Sequence, residues 1–128
     1  MATFDFAELT AADTATITII NPKTGDDIEG VTMELYGPES QFYKDSTSKL
    51  RSKVTEFVRR NAGMKPEQRQ KEFDRLERIK NISLIKSINN FVFEGQEMKS
   101  PSDVCDKFDF VYKQACGEIE NLANFIKG

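Results

Sequence analysis

The period of the apolar positions changes once along this chain, at Tyr36-Gly37-Pro38. Upstream it is near two. Ala15 to Ile20 is rich in Thr and Ile, which suits a strand. Ile28 to Tyr36 sets Val31, Met33 and Leu35 on one face and Thr32, Glu34 and Tyr36 on the other. Between them, Asn21-Pro22-Lys23-Thr24-Gly25-Asp26-Asp27 is turn chemistry: Pro presets φ, Gly allows positive φ, and Asn and Asp bond their own backbone. The pair predicts an antiparallel hairpin with a long loop. Two strands alone are marginal, so the hairpin requires a helix beneath it or a third strand from a neighbour. Residues 1–13 are weakly periodic and read as an arm, ordered only if Phe4, Phe6 and Leu9 find a docking surface.

Downstream the period is helical. Pro38 fits the first turn of a helix, and Ser40 is a candidate N-cap. Tyr43, Thr47, Leu50, Val54, Phe57 and Val58 recur at spacings of three and four, which predicts an amphipathic helix to about Ala62. Gly63 can close it in the left-handed conformation. Pro66 opens a second helix, with Phe73, Leu76 and Ile79 as its stripe and Glu67–Lys71 and Asp74–Arg78 as candidate i,i+4 pairs. Asn81 ends this helix or marks a bend. Ile82 to about Asn90 reads as buried helix, and Phe91-Val92-Phe93 as helix end or short strand. Residues 94–99 read as a loop. Ser100-Pro101-Ser102-Asp103 is a strong helix start, and apolar residues from Val104 to Ile126 predict one helix to the end.

The fold class expected is therefore α+β, an N-terminal antiparallel β-hairpin packed on a mainly α-helical body. At 128 residues the chain suits a single domain, with arm and hairpin over 1–36 and the helical body over 38–128. The N-terminus has no basic and apolar leader pattern, and no apolar run approaches a membrane span. Cys105 and Cys116 lie eleven apart on one side of the last expected helix, too far for a bridge, and read as small buried hydrophobes of a reducing cytosol.

The formal net charge of −3 hides a segregation. Residues 1–40 hold one Lys against eight acids, and residues 41–80 hold twelve bases against six acids. Such a division bears on association rather than on fold. The basic residues Lys44, Lys49, Arg51, Lys53, Arg59 and Arg60 share the face of the first helix opposite its apolar stripe. That face could track a phosphate backbone, lie in solvent, or meet the acidic half of the protein.

Catalytic chemistry is not expected. The chain has no His, the usual general base and metal ligand. Cys105 has no basic partner nearby in sequence. Asp26, Asp27 and Glu29 lack the ligand spacing of a calcium loop, and the turn around Gly25 lacks a phosphate-loop pattern. No catalytic, cofactor-binding or metal-binding residue is assigned.

Asn21-Pro22-x-Thr24-Gly25, a strand, and then Leu35-Tyr36-Gly37-Pro38-Glu39-Ser40-x-x-Tyr43 resemble the N-terminal half of the tail assembly chaperones of long-tailed siphophages. The ending Asn121-Leu122-Ala123-Asn124-Phe125 resembles the Asn-Phe terminus common in that family. The resemblance implies a non-enzymatic protein of the host cytoplasm. It would bind the tape measure protein, keep it soluble until tail tube subunits polymerise around it, and be absent from the finished virion. It also implies a longer form made by programmed frameshifting, whose extension recruits tail tube protein; Lys127-Gly128 would suit a slippery codon pair. A holdase for helices needs apolar grooves with anchors at helical spacing. Phe91, Phe93, Phe108, Phe110 and Phe125 could form such a surface or could be ordinary core, with Phe110 the one that falls off the stripe set by Phe108 and Tyr112. Competing readings are a tail or neck structural protein retained in the virion and a small nucleic-acid-binding protein. A homo-oligomer is compatible with each, and no membrane partner is expected.

Overall fold

The computed structural model describes residues 3–126. Five strands and four helices follow in the order β1 (Thr14–Ile20), β2 (Asp27–Tyr36), α1 (Gln41–Arg60), α2 (Pro66–Ser83), β3 (Ile85–Asn89), β4 (Val92–Phe93), β5 (Gln96–Glu97), α3 (Pro101–Lys107) and α4 (Asp109–Ile119). A 3₁₀ turn lies near each end, Phe6–Leu9 and Leu122–Phe125. The α+β class and the N-terminal hairpin are as the apolar pattern predicts.

β1 and β2 pair antiparallel, with Ile17 opposite Met33 and Ala15 opposite Leu35. The register shifts between Thr18 and Ile20, where Gly30 takes up a φ of +81° that a side chain would strain. The third strand that the hairpin requires comes from its own chain. Residues 85–89, expected as part of a buried helix over 82–90, form β3 and pair with the open edge of β2, Leu35 opposite Ile85 and Met33 opposite Ile88. A short apolar run rich in Ile suits either state. The unpaired edge of β2 decides it, because a strand there completes the hydrogen bonds of both. Of Phe91-Val92-Phe93, the last two residues are strand: β4 and β5 form a two-stranded hairpin, with Glu94 at φ +50° and Gly95 at φ +80° in its turn.

The last helix is not continuous. Phe108 leaves the helical region at φ −125°, ψ 89° and ends α3 and begins α4 at once. Its ring meets Phe93 edge-on at 5.9 Å and Phe110 at 6.0 Å. After Glu120 the chain turns again, with the Asn121 side chain accepting from the Ala123 amide at 3.3 Å. Ile126 then bridges to Ala11. Helix starts follow local signals: Ser40 Oγ accepts from the Tyr43 amide at 3.1 Å, Pro66 opens α2, and Ser100 Oγ accepts from the Asp103 amide at 3.3 Å. Pro38 lies before α1 rather than in its first turn. The end of α1 also departs from expectation. Asn61, not Gly63, caps it, with both its amide and its side-chain Nδ2 donating to the Phe57 carbonyl.

One apolar core joins the sheet to α3, α4 and the C-terminal turn. Ile19, Met33, Leu35 and Ile85 meet Leu84, Phe91, Val104, Cys105, Val111, Ala115, Ile119 and Phe125 there. Gln114 of α4 covers the outer end of β1, its Nε2 donating to the Ile20 carbonyl at 2.7 Å and its Oε1 accepting from the Ile20 amide at 2.9 Å. That pairing blunts one strand edge.

The strand-to-helix corner at Tyr36-Gly37-Pro38 is where distant parts of the chain meet. The Tyr36 amide donates to the Leu84 carbonyl at 2.8 Å, and the Gly37 amide to the Asp13 carbonyl at 2.9 Å. Buried Ser40 donates from Oγ to the Gly37 carbonyl at 2.7 Å. A Cβ on Gly37 would stand 2.7 Å from the ring of Phe125, so only glycine lets that ring lie against the backbone.

Candidate functional site

Neither α1 nor α2 has a buried residue, although both carry an apolar stripe. They pack on each other, and Phe57 meets Phe73 edge-on at 6.0 Å in their seam. At the free end Arg69 ties the connecting loop, its guanidinium donating to the Ala62 and Met64 carbonyls at 3.4 Å each.

The helical pair is fastened to the body only at its base. Tyr36 stacks on Phe42 at 4.2 Å. The Tyr43 hydroxyl donates to Glu120 at 3.1 Å, and burial followed by the Glu120 charge raises its pKa. Arg78 of α2 donates to the Cys105 carbonyl at 3.0 Å, pairs with Asp106 at 3.4 Å and Asp109 at 3.6 Å, and lies over the Tyr112 ring at 4.3 Å. Asn81 donates to the Tyr112 hydroxyl at 3.1 Å. Between residues 44 and 77 no side-chain hydrogen bond, ion pair or aromatic contact reaches the body among the described residues. The pair is a projecting arm whose apolar seam is covered from one side at most.

Along that seam runs a groove. Its deeper part, about 290 Å³, is lined by Phe42, Leu50, Leu76 and Ile79, with Lys49, Lys53 and Lys80 at the rim. It continues past Lys53 and Leu76 to Phe57 and Arg60. Asp45, Glu56 and Glu72 are its acids. Glu56 is taken up by Arg59 and Arg60, and Glu72 by Arg75. Lys80 lies over the Tyr43 ring at 4.5 Å. Lys49 and Lys53 have no carboxylate within ion-pair distance among the described residues. Asp45 accepts from the Gln41 side chain and is in no ion pair among the described residues, so the two free lysines outnumber one free carboxylate and the open charge of the groove is positive.

The residues singled out in the sequence divide differently from expectation. Phe91 and Phe125 are core. Phe93, Phe108 and Phe110 are half-buried, the last two against the core, and Phe93 lines a shallow, mostly polar depression with Met98, Asp103 and Lys107. The basic face of α1 is exposed, and Lys49 and Lys53 of that face edge the groove. The pairs Glu67–Lys71 and Asp74–Arg78 do not form; Arg78 turns to the α3–α4 elbow and Asp74 accepts from Gln70 at 2.9 Å. Leu50, Leu76 and Ile79 belong to the predicted stripes, but Phe42 was not singled out. The signal that could have found it is its place one residue before Tyr43, beside the stripe. Asp26, Asp27 and Glu29 are exposed. Among the described residues no group of three or more Cys, Asp or Glu is placed to hold a metal ion.

Both cysteines are free thiols, Cys105 buried and Cys116 half-buried. The break at Phe108 puts them on two helices rather than one. Burial pushes the Cys105 thiol up to about 11, against a smaller opposing pull from Arg78. A thiol held neutral in the folded state favours folding below its unfolded value near 9, and that contribution is lost as pH rises through 11. Native protein at pH 8 should thus label slowly at Cys105 and faster at Cys116, and its urea midpoint should fall between pH 9 and pH 11. Equal labelling rates, read by peptide mass spectrometry, would contradict the placement of Cys105.

No helix among the described residues is long and apolar enough to cross a membrane. Comparison with family models, with curated proteins and with solved structures finds no match.

Proposed function

We propose that this protein is a non-enzymatic tail assembly chaperone of a long-tailed phage, which binds the tape measure protein in the host cytoplasm, keeps it soluble and assists tail tube assembly. The observation that carries the reading is the projecting α1–α2 pair, two long helices with no buried residue and an apolar seam open along one side. A groove between helices with anchors at helical spacing is the surface that accepts a further amphipathic helix. The tape measure protein, as the resemblance describes it, is very long and helical. A second point of support is spatial. Two of the three strings that carry the resemblance, Leu35 to Ser40 and Asn121 to Phe125, lie far apart in sequence and touch at Gly37 and Phe125.

The test is co-expression with the tape measure protein of the same phage. The wild-type chain should keep that protein in the soluble fraction and co-purify with it. Ile79→Glu and Val58→Glu alter exposed positions of the helical pair, and together should cut recovery about tenfold, a loss of roughly 1.4 kcal/mol, with unchanged circular dichroism. Wild-type protein that neither solubilises nor co-purifies with the tape measure protein defeats the reading. Recovery of the chain from purified virions by mass spectrometry would favour a structural tail or neck component instead.

A further inference from the structure

We infer that the groove of the α1–α2 pair receives the N-terminal arm of a second copy of this chain. The arm and the groove both leave apolar surface exposed among the described residues, and they have opposite charge. Phe4, Phe6 and Leu9 keep 59%, 75% and 45% of their surface exposed. Phe4 and Phe6 touch only edge to face, at 5.3 Å, and the 3₁₀ turn Phe6–Leu9 buries nothing. A segment of this composition would fray unless it docked. Its charged residues are the acids Asp5 and Glu8. The groove offers the complement. Phe42 and Ile79 remain 41% and 47% exposed on its floor, and Lys49 and Lys53 have no ion-pair partner there among the described residues.

The dimensions agree. From Phe42 to Phe57 the groove runs about 22 Å at the helical rise. The eight described residues before Ala11 span up to about 27 Å when extended. The arm leaves the body at a fixed root, where Ala11 bridges to Ile126 and the Ala12 amide donates to the Phe125 carbonyl at 2.7 Å. Within one molecule both surfaces stay exposed at once, so a single copy satisfies neither. A second copy satisfies both. Because arm and groove are different patches, each added copy leaves one free arm and one free groove, and the assembly grows head to tail into a ring or an open chain. The assembly needs only this chain to form; because the arm takes the groove that a tape measure helix would take, the two occupants compete for it.

Complementary charge reversal tests the inference. Asp5→Lys with Glu8→Lys gives one full-length variant, and Lys49→Glu with Lys53→Glu gives another. Wild-type protein should sediment as concentration-dependent oligomers, and a chain lacking residues 2–9 as monomer. Each reversed variant alone should associate at least about tenfold more weakly than wild type. An equimolar mixture of the two should regain association, since each arm then meets a groove of opposite sign. Native circular dichroism of every variant separates lost association from lost fold. Three results would overturn the inference: monomeric wild-type protein, association that survives loss of the arm, or a mixture no more associated than its parts. A monomer whose arm is protected from proteolysis would place the arm in its own groove and equally refute the exchange between copies.

Discussion

Phe125→Ala should lower the unfolding free energy by about 3–5 kcal/mol, the usual cost of removing a buried Phe ring. Against a total of roughly 5–15 kcal/mol for a domain of ordinary stability, that is a large share. The reason lies in what the ring closes. Phe125 is 2% exposed and lies on the backbone of Gly37. Its own carbonyl accepts from Ala12, so the arm root, the β2–α1 corner and the C-terminus meet on one side chain. Gly37→Ala should cost about 1–3 kcal/mol in the wild-type chain, because the new Cβ must displace that ring. In a Phe125→Ala background the same substitution should cost under about 0.5 kcal/mol, since nothing remains to be displaced. Urea denaturation of the two single variants and the double variant measures the coupling. Additive losses would mean that Gly37 and Phe125 do not press on each other.

The second large effect is expected at Arg78. Removal of this side chain takes away a charged hydrogen bond to the Cys105 carbonyl, two ion pairs and a contact over the Tyr112 ring. The ion pairs are partly solvated and contribute little. The charged hydrogen bond and the stacked ring dominate, and Arg78→Ala should cost about 1.5–3 kcal/mol. Arg78→Lys should restore little of this, because an ammonium neither stacks nor forks as a guanidinium does. Arg78 also joins the base of the helical pair to the α3–α4 elbow. Hydrogen exchange should accelerate at the C-terminal end of α2 and around Phe108 before it changes in the β1–β2 hairpin. A uniform acceleration over the whole chain would show that Arg78 supports the fold generally rather than the attachment of the pair.

Where a local signal was sufficient, the chain was legible. Ser40, Pro66 and Ser100 start helices by side-chain caps and a preset φ, and all three positions are read from neighbouring residues. Val31, Met33 and Leu35 name the buried face of β2 by alternation alone. The errors fall where a distant partner decides. Ile85 to Asn89 is a strand because β2, fifty residues earlier, has an open edge. Phe108 breaks the last helix with no Gly or Pro at the break; its aromatic neighbours Phe93 and Phe110 mark the elbow. The groove was half legible. Leu50, Leu76 and Ile79 are visible as stripes, but a stripe states which side of a helix is apolar and not whether anything covers it. The exposed arm is the converse case: Phe4, Phe6 and Leu9 look like residues in need of a surface, and their own molecule gives them none.

The hydrogen bond from the Tyr36 amide to the Leu84 carbonyl gives the helical pair a different standing from the rest of the chain. β1, β2 and β3 form a simple three-stranded meander, and everything from Gly37 to Ser83 is an insertion between two adjacent strands. The two ends of that insertion lie one hydrogen bond apart, at 2.8 Å. Among the described residues no side-chain hydrogen bond, ion pair or aromatic contact ties its far end to the rest. Whole helical turns could therefore be added to or removed from α1 and α2 together without altering the register of the sheet or the packing of the core. The length of the groove and the stability of the protein are separate variables, set by separate stretches of sequence.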